Sequence, residues 1–163
     1  MKNIIFILLS LLIVTSTAFA ASKESHVKKG NDLYRKGKFE QSLKSYEDAL
    51  KTDPESPAIN FDLGTALYKN KKYNEAIPYL QKGLLSDDIV LKKNAHFNLG
   101  DVLYEQGRSF KDRQVDQSIA ALEESLRQFM TVINVDDKDN DARYNRDIVQ
   151  KELARLKKNK QQK

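Results

Sequence analysis

Apolar residues recur along this chain at the three- and four-residue spacing of amphipathic helices, in short stripes separated by polar breaks. In residues 57–90 a first stripe is followed by the polar turn Asn70, Lys71 and Lys72, and then by a second stripe. Two stripes of this kind predict two short helices folded back on one another. The stripes consist of Ile59, Leu63, Ala66 and Leu67, and of Ala76, Ile77, Leu80 and Leu84.

The helical hairpin recurs along the chain at a spacing of 34 residues. A fixed period of this length is typical of a solenoid, in which each repeat buries its apolar face only against its neighbours. The sequence therefore predicts an all-α fold built from stacked helix pairs. The matching positions of the first two copies are Gly30 and Gly64, Tyr34 and Tyr68, Leu43 and Ile77, Leu50 and Leu84, and Pro54 and Asp88.

Small residues occupy equivalent positions in successive copies, as at Gly30, Gly64 and Gly100. Helices whose axes are only ~8 to 10 Å apart leave no room there for a large side chain, so we expect close helix packing at each of these glycines. Gly37 lies in the turn of the first copy. A glycine at that position can end a helix with a positive φ at no steric cost.

A third copy begins at Ala95 and then loses the repeat spacing through an insertion near residues 108–124. We predict a charged loop from Arg108 to Gln114, followed by a lengthened second helix that begins near Val115. Two interpretations of the insertion are open. It is either a partner-specific contact or a neutral expansion of a surface loop, which such connections tolerate well.

The repeated positions resemble the tetratricopeptide repeat (TPR) pattern of Leu-Gly, Tyr, Ala, aromatic, Ala and Pro. Leu63, Gly64 and Ala76 match this pattern in the second copy, and Pro54 matches it in the first. The resemblance implies a TPR domain over residues 21–157, a solenoid of about three helix pairs plus a C-terminal helix. The implied repeats are residues 23–56, 57–90 and 93–138, the final helix is 140–157, and a basic polar tail follows at 158–163.

The first twenty residues, 1–20, have the three parts of a secretory signal peptide. Lys2 is followed by the apolar run from Ile4 to Val14, and Ala18 and Ala20 end the segment. Cleavage at this point predicts an exported protein of the periplasm or cell envelope. The alternative is an uncleaved helix anchored in the inner membrane, because the segment is just long enough to span a bilayer.

The chain carries 28 Lys and Arg against 23 Asp and Glu, and it contains no cysteine. Without disulfides, the stability of the fold has to come from helix packing. Basic residues concentrate at the C terminus, where they suit a solvated helix end or a contact with a membrane surface. The repeats lack a basic face, so we do not expect the protein to bind nucleic acid.

The sequence contains no catalytic motif, no phosphate-binding loop and no set of metal ligands at a typical spacing. His26 and His96 occupy the same repeat position, which favours a packing role over metal binding. The acidic pairs at 87–88 and 136–137 lie where turns are expected, and helix capping is the stronger interpretation for them. We therefore expect no enzymatic activity, no metal and no cofactor.

The first helices of TPR arrays line a concave groove, and the resemblance places that groove on one face of each first helix here. Rings with hydrogen-bonding tips contribute strongly to binding at protein interfaces, and such rings dominate this face. The alternative for some of these rings is partial burial in helix packing. The implied partner-binding residues are Asn31, Tyr34, Phe61, Thr65, Tyr68, Phe97, Asp101, Tyr104 and Tyr144.

Some TPR proteins grip the C-terminal carboxylate of heat-shock chaperones with Lys, Asn and Arg at set groove positions. Asn31 fits that pattern. The other clamp positions do not, so we expect an apolar or aromatic segment, or a partner helix, as the ligand. Those positions hold Val27, Asp62, Asn94 and Asn98.

The segment Asp139–Glu152, with its Asp-Asn-Asp-Ala-Arg-Tyr-Asn run, resembles the end of the small exported TPR proteins of bacterial Bat (aerotolerance) clusters. In those systems the TPR protein accompanies von Willebrand A-domain membrane proteins and a MoxR-type ATPase in the cell envelope. The resemblance implies a non-catalytic protein-interaction module of the envelope. A membrane-tethered assembly factor or scaffold, anchored by an uncleaved N-terminal helix, is the alternative.

Overall fold

Seven helices in a single array make up the part of the chain that the computed structural model describes, residues 23–110 and 114–162. The predicted signal segment, residues 1–20, lies outside these described residues. Within them there is no β-strand, and no helix has the length and apolarity needed to cross a bilayer. The helices are α1 (residues 23–35), α2 (Phe39–Leu50), α3 (Pro57–Lys69), α4 (Tyr73–Gly83), α5 (Ile89–Phe110), α6 (Val115–Val135) and α7 (Asn140–Gln161).

The helices stack as antiparallel pairs, which confirms the predicted all-α solenoid. α3 pairs with α4 and α5 pairs with α6, while α2 packs on α3 and α4 packs on α5. The first pair is joined where the Tyr46 side chain of α2 covers Gly30 of α1. α7 closes the array by packing on α6 and α5.

The turns inside the first two pairs have the same geometry. Gly37 has a φ of 71°, as predicted, and Lys71 repeats that conformation with a φ of 61°. In each turn the next residue donates its N–H back across the end of the helix, from Lys38 to Leu33 O and from Lys72 to Leu67 O, both at 3.0 Å. This bonding pattern satisfies the last carbonyl groups of α1 and α3.

The repeated glycines mark the close approach of the two helices in each pair, as their spacing predicted. A Cβ atom on Gly64 would lie 2.8 Å from Cγ of Leu80, and one on Gly100 would lie 2.9 Å from the ring of Phe129. Only a residue without a side chain fits at these distances. The glycines therefore set how closely the first helix of each pair lies against the second.

The insertion in the third repeat lengthens both of its helices. α6 begins at Val115, as predicted, but Arg108 belongs to α5, so the prediction of a loop from that residue is wrong. Residues 111–113 lie outside the described part of the chain. The extension is packed rather than free, because the buried Ser118 hydroxyl donates a 2.7 Å hydrogen bond to Gly107 O.

The C-terminal helix is also longer than expected. α7 runs to Gln161 instead of ending near residue 157, so most of the predicted polar tail is helical. The lengthened α6 provides the surface on which this extra length lies. Lys157 Nζ is 2.6 Å from Glu123 Oε1, and Lys160 forms an ion pair with Asp116.

Two apolar clusters form the core, and α5 contributes to both. Leu99, Val102 and Leu103 of α5 belong to the cluster that α2, α3 and α4 share. On another face of α5, Phe97 and Tyr104 pack against the cluster of α6 and α7. The lengthened pair is therefore joined to the rest of the array through one helix.

Candidate functional site

A groove crosses the array on the side formed by α1, α3, α5 and α7. Three depressions lie along it, which we call the first, middle and last depressions, of about 200, 300 and 280 Å³. Tyr34, Phe61 and Thr65 line both the first and the middle depression, so these two are continuous. The last depression lies between α3, α5 and α7.

Second helices supply the floor of the groove at each end. Tyr46 of α2 lines the first depression, and Phe129 of α6 lines the last. These are the two rings that cover Gly30 and Gly100. In the first and third pairs, the glycine that brings the two helices together therefore also brings a ring beneath the groove.

Eight of the nine residues predicted from the sequence line these depressions, and each is partly exposed. They share one face of the first helices in the sequence, and the structure brings these side chains together. The eight are Asn31, Tyr34, Phe61, Thr65, Tyr68, Phe97, Asp101 and Tyr104.

Tyr144 lies elsewhere. Its side chain is 67% exposed, and the residue lines none of the three depressions. The buried face of α7 follows Ala142, Val149 and Leu153, a spacing of seven and four residues that leaves Tyr144 outside. Asn145, the next residue, reaches the last depression instead.

The rings of the groove are also part of the helix packing. Phe97 packs edge-on against Phe129 with 5.6 Å between ring centroids, and Tyr34 meets Phe39 in the same way at 5.1 Å. The ring centroids of Tyr68 and Tyr73 are 6.1 Å apart. Each ring packs on one side against a neighbouring ring, and the rest of its surface faces the groove. Rings held in this way give a binding surface little freedom to rearrange.

Polar side chains fix the distance between neighbouring first helices. Asn98 Nδ2 of α5 donates to Thr65 Oγ1 of α3 at 2.9 Å, and Asn145 Nδ2 of α7 donates to Asp101 Oδ1 of α5, also at 2.9 Å. In the first pair, the Tyr46 hydroxyl donates to Asn31 Oδ1 at 2.7 Å. The hydrogen-bonding groups of the groove are thus partly used within the protein.

Three charged residues of the groove are not among those predicted from the sequence. Arg35, Lys69 and Glu105 each directly follow the groove tyrosine of their helix, and each lines a depression. Their shared position, one residue beyond Tyr34, Tyr68 and Tyr104, is the signal that could have identified them.

Two carboxyl groups of the groove have altered acidity. Burial raises the pKa of Asp62 to about 6. Burial also raises the pKa of Asp101 to about 6, with a further contribution from Glu105 and opposing effects of Lys69 and the Asn145 hydrogen bond. Burial, and to a smaller extent the charge of Asp101, raises the pKa of the Tyr68 hydroxyl to about 12.

His96 and Asp88, which the sequence raised as candidates for chemistry, form hydrogen bonds within the fold. Among the described residues, no group of three or more His, Cys, Asp or Glu side chains could hold a metal ion. His96 Nδ1 lies 2.6 Å from Gln128 Oε1 within the third pair, and Asp88 Oδ1 caps α5 by accepting from Val90 N at 2.8 Å. Half-buried rings with a few charged groups suit recognition of a polypeptide segment.

Comparison with known proteins gives the same architecture. Residues 27–89 match the tetratricopeptide repeat family model. The first TPR of Spaghetti (RPAP3), solved with the HSP90 peptide SRMEEVD, has a TM-score of 0.60 and 17% sequence identity, covering 82% of this chain and 94% of that one. No curated protein sequence matches the chain.

Two further solved structures are similar. The second TPR domain of human RPAP3, in complex with the HSP70 peptide SGPTIEEVD, has a TM-score of 0.58, 17% identity and coverage of 81% of this chain and 98% of that one. The type III secretion chaperone SycD of Yersinia enterocolitica, in complex with a peptide of the translocator YopD, has a TM-score of 0.53, 16% identity and coverage of 84% and 93%. The fold of this chain is thus that of a TPR solenoid.

Proposed function

We propose that this protein is a non-catalytic interaction module that binds a segment of a partner polypeptide in its groove. The observation that carries the proposal is the joined first and middle depressions, whose walls present Tyr34, Phe61 and Phe97. Rings of this kind, already held in place by packing, lose little conformational entropy when they bind. Three of the solved structures that resemble this chain hold peptides, which supports the same use of the groove here.

The ligand differs in chemistry from the acidic peptides in the RPAP3 structures. Asp62 introduces negative charge at a position where a carboxylate-binding site needs a neutral amide, and Asn94 and Asn98 bring no positive charge. The Asn31 side chain is engaged by the Tyr46 hydroxyl. We therefore assign to the groove an apolar or aromatic segment, extended or helical, rather than a C-terminal carboxylate.

The proposal also includes the cellular location of the protein. The signal-like residues 1–20 support export to the periplasm or cell envelope, and the resemblance to the Bat-cluster TPR proteins makes von Willebrand A-domain membrane proteins the partners to test first. A membrane-tethered assembly factor is the second candidate, favoured by the apolar run from Ile4 to Val14. Mass spectrometry of the protein from its host separates the two: a chain starting at Ala21 supports export with cleavage, and an intact Met1 supports tethering.

The binding proposal is tested with peptides selected from a phage-displayed library of random 12-residue sequences. The selected peptides are synthesised with a fluorescent label, and their affinities are measured by fluorescence anisotropy for the parent protein and for Phe97→Ala and Tyr144→Ala. We expect Phe97→Ala to weaken binding about tenfold, as truncation of a central ring typically does. Tyr144→Ala is the matched control and should change the affinity less than twofold.

Two results would overturn the proposal. Either no peptide is recovered, or the recovered peptides bind Phe97→Ala as tightly as the parent. Because Phe97 also packs on Phe129, circular dichroism and thermal melting of the variant are recorded alongside, and Tyr68→Ala provides a second groove variant in the other column of rings.

A further inference from the structure

Two carboxylates of the groove, those of Asp62 and Asp101, form no ion pair in the part of the chain that the structure describes. Both are partly buried, and each lines a depression. By contrast, Glu105, the other acidic residue of the last depression, lies 3.2 Å from Arg108 Nη1.

The surroundings of Asp62 are aromatic. It lines the first depression together with Tyr34, Tyr46 and Phe61. Arg35 is the one cation in that lining, and it is paired with Asp32, one turn back on α1. The Asp62 carboxylate is therefore removed from water without a compensating charge, and burial accordingly raises its pKa.

Asp101 has an equivalent environment in the last depression. Tyr68 and Tyr104 flank it, and its polar partner is the uncharged Asn145 side chain. Lys69, whose charge partly offsets the effect of burial on the pKa of Asp101, lies over the Tyr68 ring, and Arg108 lies over the Tyr104 ring. Lys69 Nζ lies 5.1 Å from the Tyr68 ring centroid, and the Arg108 guanidinium lies 5.5 Å from that of Tyr104.

A ligand that brings positive charge would relieve both sites. A half-buried carboxylate interacts with a cation more strongly than an exposed one does, because less water screens the pair. The tyrosine and phenylalanine faces add attraction for a guanidinium or ammonium group. An acidic segment would be repelled at both places, so the groove discriminates by charge as well as by shape.

We infer that the groove binds a partner segment with two basic side chains, one against Asp62 and one against Asp101, and apolar residues between them against Phe61 and Phe97. This inference rests on the proposed function, since it specifies the ligand of the same groove. It assigns a separate task to each depression. The first and last depressions each receive a Lys or Arg side chain, and the middle depression receives apolar side chains.

The test uses the peptides selected for the parent protein whose binding is lost in Phe97→Ala. We expect these groove-binding peptides to contain at least two Lys or Arg residues, and replacement of both by citrulline or norleucine to weaken binding about tenfold. Asp62→Asn and Asp101→Asn should each weaken binding of the basic peptide about fivefold. Neither variant should affect the uncharged peptide, because the lost attraction is specific to the charged pair.

Asp87→Asn is the matched control. It removes the same charge from an exposed residue of the α4–α5 connection, away from the groove, and should change the affinity less than twofold. The asparagine substitutions keep the shape of the side chain, and an amide oxygen at position 101 can still accept from Asn145. Thermal melting of both groove variants checks that reduced binding does not reflect unfolding.

The outcomes separate this inference from the proposal on which it rests. Groove-binding peptides that are neutral or acidic would overturn the inference and leave the groove function standing. The same conclusion follows if Asp62→Asn and Asp101→Asn bind the basic peptide as tightly as Asp87→Asn does. If no selected peptide depends on Phe97, both the inference and the proposed function fall.

Discussion

The backbone of Gly100 lies so close to the Phe129 ring that a Cβ atom added to this glycine would be 2.9 Å from two ring carbons. Phe129 is fully buried, and its ring supports Phe97 on the groove side. The contact therefore fixes the position of α6 relative to α5 and also supports one wall of the groove. Gly64 and Leu80 have the same relationship one repeat earlier.

Replacement of Gly100 by alanine should lower the stability of the protein. Alanine favours the helix by about 1 kcal/mol over glycine, whereas overpacking a rigid core site typically costs about 1 to 3 kcal/mol. Since the Phe129 ring is fully buried and packs against Phe97, it has little room to shift, and the overpacking should win. We expect urea unfolding to give a free energy of unfolding about 1 kcal/mol or more below that of the parent.

The control for this prediction is a smaller side chain at position 129, which Gly100 contacts. In a Phe129→Leu background, the same alanine should cost clearly less than it does in the parent, because the smaller side chain leaves room for the added methyl group. A Gly100→Ala variant that is more stable than the parent would contradict the close contact.

The two turn residues with positive φ should respond in opposite ways to substitution. Lys71 adopts a left-handed conformation, which is unfavourable for a residue with a side chain by about 1 kcal/mol, and Gly37 adopts it without that cost. Lys71→Gly should therefore raise the melting temperature slightly, even though glycine is more flexible in the unfolded chain. Gly37→Ala should lower it.

Comparison of positions 37 and 71 isolates the effect of the residue type on stability. The two positions have the same backbone hydrogen bonds, so any difference comes from the residue type. Equal loss of stability in both variants would mean that the left-handed conformation of Lys71 carries no strain.

Asp139 should contribute to stability mainly as the cap of α7. Its Oδ1 accepts from Ala142 N at 3.0 Å, and its Oδ2 accepts from Lys93 Nζ at 3.2 Å. Asp139→Ala removes the cap and should cost about 1 to 2 kcal/mol. Asp139→Asn keeps a capping oxygen and loses the charge, so it should cost less. Thermal unfolding that ranks the two variants the other way round would contradict this account.

The groove carboxylates should make the free energy of unfolding depend on pH. Burial in the folded protein raises the pKa of Asp101 to about 6, above its ordinary value of 3.8. The folded state therefore holds the proton more tightly, and the stabilising contribution is fully present below about pH 4 and is lost as pH rises through 6. Asp62 should behave in the same way because its pKa is also raised to about 6.

The measurement compares Asp101→Asn with the parent by urea unfolding between pH 4 and pH 7.5. We expect the variant to be more stable at pH 7.5, by on the order of 1 to 2 kcal/mol, and the difference to vanish near pH 4. A difference that is constant across this range would contradict the raised pKa. Together with weaker binding of a basic peptide, this gain would identify Asp101 as a residue that binds ligand at the expense of stability.

The groove that the TPR resemblance implied on α3 and α5 could be placed residue by residue because a glycine fixes the orientation of each helix. Gly64 and Gly100 face the second helices, so residues three positions before and four after them must face the other side. α7 has no second helix of its own and packs through a single stripe. Its register still follows the repeat, since Asn145 bonds to Asp101 as Asn98 bonds to Thr65, but Tyr144 is 67% exposed and lines none of the three depressions.

The lengthened third pair was predicted only in part. A dense run of charged residues near Arg108 suggested a loop, yet such a run also suits the solvent face of a helix that is covered on one side alone. The decisive contact, from Ser118 to Gly107, joins residues in different helices. It leaves no periodic signal in either helix taken by itself. The helical C terminus depends in the same way on α6, through Lys157 and Glu123.

The position of α5 between its neighbours affects how the array responds to an occupied groove. α3 packs on α5 and α5 packs on α7, so the angle between α3 and α7 depends on how each of them packs on α5. The last depression has walls from all three helices. A polypeptide segment bound there would brace α3 directly against α7. The bound array would then keep a fixed superhelical pitch and would resist twisting more than the free protein does.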